Sequence, residues 1–238
     1  MRWIGFLFLL LVVACGAPSQ PSALERPEIL PDQFALLPCD EAIEDRPCAL
    51  AIAGGKRLLF GTPGSVVPAV STEDLRQLDA VIVFSLRAGD LEGLDDVRNA
   101  SWRAGRDAPL IVVGPPGIDA VVAALNKAYE QSDALRIVEE GIPPGGYDAA
   151  LLEARVAIPS SKVFDTGDLQ VHRQTGGYEI TYNETYEAFL SDCRSGARDG
   201  VNSRPEAATA SKTITISCGP GDVGLSWPLT APLFVSEK

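Results

Sequence analysis

An α/β fold is what this 238-residue sequence predicts, and three features predict it. Ala80 to Phe84 is a short, unbroken apolar run rich in β-branched residues, the pattern of a strand buried on both faces in mid-sheet. On either side of it, strand-like runs alternate with segments of helical spacing as far as Gln131. After Pro143-Pro144-Gly145-Gly146 the pattern changes to short strands joined by tight turns.

In chain order, Arg2 precedes the apolar run Ile4 to Val13, which is too short to span a bilayer comfortably and ends at Val12-Val13-Ala14-Cys15. These residues resemble a bacterial lipoprotein signal, with 1–14 as signal peptide. The resemblance implies cleavage before Cys15, which then carries lipid such as palmitate on its sulfur and amino group. Several acyl chains hold a protein on a membrane where one holds it only marginally. Gly16 after the cysteine fits the outer membrane of the cell envelope, facing the periplasm. Residues 15–45 hold Pro18, Pro21, Pro27, Pro31 and Pro38 among serines and charges, which reads as an extended tether ahead of a domain over 46–238.

The domain is expected to begin with a strand over Ala49 to Ala53, turning at Gly54-Gly55 into a second strand, Lys56 to Gly61. Ser71-Thr72-Glu73-Asp74 supplies the cap and early acidic residues of a helix running to Leu78. Leu91 to Arg103 is a further helix, Pro109 to Val113 a further buried strand, and Gly117 to Gln131 an amphipathic helix with Ile118, Val121, Val122, Leu125, Ala128 and Tyr129 on one face. Ala154 to Ile158, Lys162 to Phe164, Leu169 to His172 and Tyr178 to Leu190 read as strands, with turns at 165–168 and 182–185. Arg194 to Ala210 reads as a polar loop before a last strand, Thr213 to Ser217.

Five cysteines in an exported chain, with Cys15 lipidated, leave four for two disulfides. Pairing neighbours in sequence gives Cys39 with Cys48 and Cys193 with Cys218. Zinc binding by these cysteines is disfavoured, because neither pair has close Cys-x-x-Cys spacing and His172 is the sole histidine. Net charge is -12, and -13 without residues 1–14, a surface that repels phosphate backbones, so nucleic acid is not an expected partner.

The turn after the central strand, Ser85-Leu86-Arg87-Ala88-Gly89-Asp90, crowds polar and small residues where many α/β folds place their chemistry. It resembles the metallo-β-lactamase superfamily, nearest its ribonuclease Z-like and arylsulfatase-like branch, whose mark is a strand followed by His-x-His-x-Asp-His. In that frame Ser85 and Arg87 stand at the first two histidines, Gly89 at the aspartate and Asp90 at the last histidine. The flanks Gly54 to Phe60 and Pro109 to Gly117 match too, and Gly177-Tyr178-Glu179-Ile180 leading to Leu190-Ser191-Asp192-Cys193 resembles the family's hairpin that ends in an aspartate. The resemblance covers residues 50–193. It implies an αββα sandwich, truncated or degenerate in its C-terminal part, in which Asp192 stands at the bridging aspartate.

The family's chemistry needs several imidazoles and a bridging carboxylate around an activated water. Ser85, Arg87 and Gly89 supply none of the imidazoles, so no catalytic residue, metal or other cofactor is expected. Ser85 lacks a Gly-x-Ser-x-Gly setting and a histidine to activate it, and reads as a capping serine. Gly114-Pro115-Pro116-Gly117 lacks a phosphate loop's lysine and reads as a stiff turn. Trp102 and Trp227 fit either a core or a pocket wall. By the same resemblance, Arg87 is expected to take the place of the metal and pair with Asp192. The function expected is that of a lipid-anchored envelope protein, a pseudoenzyme that binds a small ligand or an envelope protein without catalysis. The competing reading is a divergent hydrolase working through Asp90 and Asp192, or one completed by a metal ligand from outside the chain; a carboxylate-only calcium or magnesium site from Asp90, Glu92 and Asp192 is opposed by the charge of Arg87.

Overall fold

A computed structural model describes residues 27–39, 46–193, 212–218 and 225–236. The signal segment, Cys15 and the polar stretch 194–210 lie outside the described residues. Among these residues thirteen strands form two sheets. The first sheet joins β1 (Phe34–Pro38), β2 (Ala49–Ala53), β3 (Lys56–Phe60), β4 (Ala80–Ile82), β5 (Leu110–Gly114), β6 (Leu152–Val156) and β13 (Leu233–Phe234) in the order β13-β1-β2-β3-β4-β5-β6. The second joins β7 (Lys162–Asp165), β8 (Leu169–Gln174), β9 (Gly177–Tyr182), β10 (Tyr186–Ser191), β11 (Lys212–Ser217) and β12 (Leu225–Ser226) in the order β12-β11-β10-β9-β8-β7.

The hairpin at Gly54-Gly55 forms as the glycine pair predicts. Both residues take positive φ, 56° and 74°, which a side chain would oppose. It sets β2 and β3 antiparallel, after which β3, β4, β5 and β6 run parallel, so their C-terminal ends lie along one edge. Parallel neighbours need long crossovers, and helices supply them. These are α1 (Val66–Ala69), α2 (Thr72–Arg76), α3 (Ala88–Leu91), α4 (Leu94–Arg103) and α5 (Ile118–Glu140). Ser71 caps α2, its hydroxyl accepting from the Asp74 N–H at 3.1 Å. The stiff turn before α5 closes with the Ile118 N–H on the Pro115 carbonyl, and Gly117 there has φ 100°. That helix runs well past Gln131, to Glu140, where Gly141 at φ 91° ends it.

Period-2 alternation divides the core into two layers. Val81 and Val83 face the helices, packing with Leu59, Leu110, Val112, Leu94, Val97, Ile118 and Val122. Ile82 and Phe84 face the second sheet, packing with Phe60, Val171, Tyr178, Ile180, Ala188 and Leu190. The run Ala80 to Phe84 is therefore buried on both faces, between β3 and β5, as its composition predicts. The five α-helices of the described residues fall between β3 and β6, and their buried apolar residues pack on the first sheet or beside it. Among the described residues no α-helix follows β6.

Three parts of the sequence reading are corrected. The tether assigned to 15–45 contains β1, whose Phe34, Ala35 and Leu36 are fully buried between β2 and β13. Pro38, at the last position of this strand, removes no interior ladder bond. The strand placed at Ala154 to Ile158 is β6, which starts at Leu152 and joins the first sheet rather than the run of tight-turn strands. Ala128 is exposed on α5 and takes no part in its buried face.

Trp102 belongs to the core with Ala149 and Ala150, and Trp227 is buried beside the hairpin, its indole N–H on the Ser191 carbonyl at 3.0 Å.

Both disulfides form as expected, Cys39 with Cys48 and Cys193 with Cys218. The first ties the end of β1 to the start of β2, and the second joins the ends of the neighbouring strands β10 and β11. Replacing either pair by serine is expected to cost about 2–4 kcal/mol. The pair 25 residues apart should cost about 0.9 kcal/mol more than the pair nine apart, because the entropy of loop closure grows with loop length. Urea denaturation of the two double-serine variants checks both the size and the order.

Candidate functional site

The C-terminal ends of β3 and β4 carry the turn that the sequence singles out, and hydrogen bonds lace the segments together there. Gly61 N–H donates to the Ile82 carbonyl, Gly93 N–H to the Thr62 carbonyl, and the Thr62 hydroxyl to the Asp90 carbonyl at 2.7 Å. Ser85 is buried. Its hydroxyl accepts from the Arg87 N–H at 3.1 Å and donates to the Asp90 carboxylate, closing a serine turn at the entry to α3. Asp90, on α3, is thereby tied back to the turn that leads into the helix.

Gly89 stands where the family places an aspartate, and its missing side chain has a physical consequence. A Cβ there would lie 2.9 Å from the Arg46 guanidinium carbon. Arg46 Nη1 instead donates to the Gly89 carbonyl at 3.5 Å and pairs with Glu92 at 3.1 Å. Arg46 lies 43 residues before Gly89, outside any local pattern, and the sequence reading missed it.

On the facing sheet, inward alternation along β8 brings Leu169, Val171 and Arg173 to one side. Arg173 and Tyr178 are register partners, and the guanidinium lies 4.7 Å from the centre of the Tyr178 ring. Arg173 Nη1 donates to the Gly177 carbonyl at 3.1 Å, and Nη2 stands 3.7 Å from Asp192 Oδ2. Both side chains are largely buried, at 10% and 6% exposure. Tyr178 then crosses to the first sheet, where its hydroxyl donates to the Val83 carbonyl at 3.1 Å and its ring meets Phe84 edge-on at 5.5 Å. Asp192, Arg173, Tyr178 and Val83 thus form one connected line from the end of the hairpin to the end of β4.

This line corrects the expected pairing of Arg87 with Asp192. Arg87 is the N-cap residue of α3, with its side chain exposed, and Arg173 supplies the guanidinium beside Asp192. Both are arginines close in the fold to the central strand, and only the strand alternation of β8 distinguishes them.

The donor set does not fit a catalytic zinc ion. Ser85 and Asp90 bind each other, Glu92 binds Arg46, Asp192 faces Arg173, and the Arg87 side chain is exposed to solvent. A cation at Asp192 would meet an existing guanidinium, and no imidazole belongs to either turn. His172 is half-buried on β8, its ring nitrogen 3.4 Å from Gln170 Oε1. Among the described residues no three histidine, cysteine, aspartate or glutamate side chains gather to hold a metal. Among the same residues no helix is long and apolar enough to cross a membrane.

No family model and no curated protein matches the chain. Solved structures do. Human tRNase Z, short form, is 13% identical over 77% of this chain and 76% of its own, with a TM-score of 0.48. The metallo-β-lactamase fold protein YhfI from Bacillus subtilis is 14% identical over 66% of this chain and 62% of its own, with a TM-score of 0.45. A diphosphatase of the PhnP family is 17% identical over 60% and 50%, with a TM-score of 0.40. The chain spans less than two thirds of the length of the last two. These three are metallo-β-lactamase-fold proteins, and at 13–17% identity the likeness is one of fold alone.

Proposed function

We propose that this protein is a lipid-anchored envelope protein whose metallo-β-lactamase-like domain works without a metal, binding a small ligand or an envelope partner instead of hydrolysing a substrate. Cys15 is the anchor in this reading, and the outer membrane, facing the periplasm, is its place. One observation carries the non-catalytic part: the aspartate at the bridging position faces the buried guanidinium of Arg173. A carboxylate that already neutralises a fixed cation is a poor metal ligand, since a divalent ion would have to displace or lie beside that charge. Ser85 and Asp90, which follow β4, support the reading, because they bond each other rather than aim into a common site.

Two measurements test the proposal. The full chain, purified in detergent without chelator, is expected to carry far less than one zinc per molecule and to leave β-lactams, thioesters and phosphodiesters intact. A tightly held stoichiometric metal coupled to turnover of any of these would instead establish the hydrolase that uses Asp90 and Asp192. For the anchor, Cys15→Ala is expected to abolish labelling by an alkynyl palmitate and to move the protein from the membrane fraction to the soluble one. Labelling that survives the substitution refutes anchoring through Cys15.

A further inference from the structure

Outside the turn after β4, and among the described residues, the α4–α5 layer buries two arginines and one carboxylate, Asp133. Arg98 is fully buried and forks onto Asp133 of α5, with Tyr129 beneath it at 4.8 Å from ring centre to guanidinium carbon. Tyr129 in turn donates to Asp95 at 2.5 Å, and that bond holds its hydroxyl above the usual tyrosine range. Arg98 therefore has its counter-charge. Arg106 does not. It is 3% exposed, and its Nε donates to the Ser101 hydroxyl at 3.2 Å while its Nη1 donates to the Ala108 carbonyl. Both acceptors are neutral, and among the described residues no carboxylate pairs with it. Arg106 Nη2 and Arg98 Nε are also buried without a hydrogen-bond partner among those residues.

Ser101 links the two cations, donating to the Arg98 carbonyl while accepting from Arg106 Nε. Burial and the neighbouring charge of Arg98 bring the Arg106 guanidinium down to about 10, with Asp107 opposing the shift. Arg106 would still be ionised at neutral pH, so a buried positive charge stays to be balanced. The C-terminal end of α4 offsets part of it through the helix dipole but supplies Nη2 with no acceptor. A water could accept the orphaned N–H groups, yet it would leave the charge uncompensated. A group that is both acceptor and anion answers both demands.

We propose that this cluster binds one small monovalent inorganic anion of the chloride class beside Arg106 Nη2, within the field of Arg98. The site is independent of the turn after β4, and its ligand is structural, locking α4, the loop after it and α5 together.

The test uses chloride and bromide on the full chain. At constant ionic strength, replacing sodium gluconate by sodium chloride at about ten times the dissociation constant should raise the melting temperature by about 3–5 °C. Arg106→Gln should lose that increment while keeping any general salt effect. Crystals of the unaltered protein grown in bromide should show an anomalous peak within hydrogen-bonding distance of Arg106 Nη2, a readout that does not depend on a variant folding. A melting temperature that is the same in gluconate and chloride, or a bromide map with no peak at Arg106, overturns the proposal.

Discussion

Arg173→Ala is expected to lower the stability of the domain by about 3–5 kcal/mol, because it breaks a largely buried ion pair by removing the guanidinium that faces Asp192. The guanidinium also covers the Tyr178 ring and satisfies the Gly177 carbonyl, so its loss takes packing and a hydrogen bond with it. Removing both partners, as Arg173→Ala with Asp192→Ala, should cost less than the two single changes summed, since no charge is then stranded. Arg87→Ala serves as the control. Its side chain is solvent-exposed, and the change should stay within about 0.5 kcal/mol. Urea denaturation of the four variants measures all of this. A small effect at Arg173, or a large one at Arg87, would show that the line from Asp192 to β4 does not hold the domain.

What the sequence made legible, and what it hid, follows from how local each interaction is. The two glycines at 54 and 55, the apolar run at 80–84 and the serine cap at 71 act within a few residues, and the fold has each as read. The disulfides follow from sequence neighbours. By contrast, β1 is five residues, the last of them Pro38, with too little length to show alternation, and it becomes a strand only because β2 and β13 flank it. The same lack of length hid the sheet to which β6 belongs. At the site, the turn from Ser85 to Asp90 was visible as a frame because its contacts are internal. Arg46 and Arg173 were not, for Arg46 reaches the turn from 43 residues away and Arg173 meets Asp192 from another strand of the second sheet. The expectation for Arg87 comes from its place in the motif frame. Strand parity decides it: Leu169, Val171 and Arg173 share one face of β8, so an arginine continuing an inward apolar series is the one that meets a buried carboxylate.

Tyr178 is where the two sheets meet at this site, and the two ways of shortening it separate its roles. The side chain is fully buried, with Phe60 at 6.0 Å and Phe84 at 5.5 Å, Arg173 over its face and its hydroxyl on the Val83 carbonyl. Tyr178→Phe keeps the ring and removes only the hydroxyl, and should cost about 1–2 kcal/mol through the loss of a buried hydrogen bond. Tyr178→Ala removes the surface on which Arg173 rests and opens a cavity between the sheets, for an expected cost of about 3–5 kcal/mol. If the ring also fixes the guanidinium, combining Tyr178→Ala with Arg173→Ala should cost less than the sum, by about 0.5–3 kcal/mol. Denaturation midpoints for the single and double variants decide the point, and strict additivity would mean that ring and guanidinium are neighbours without being coupled.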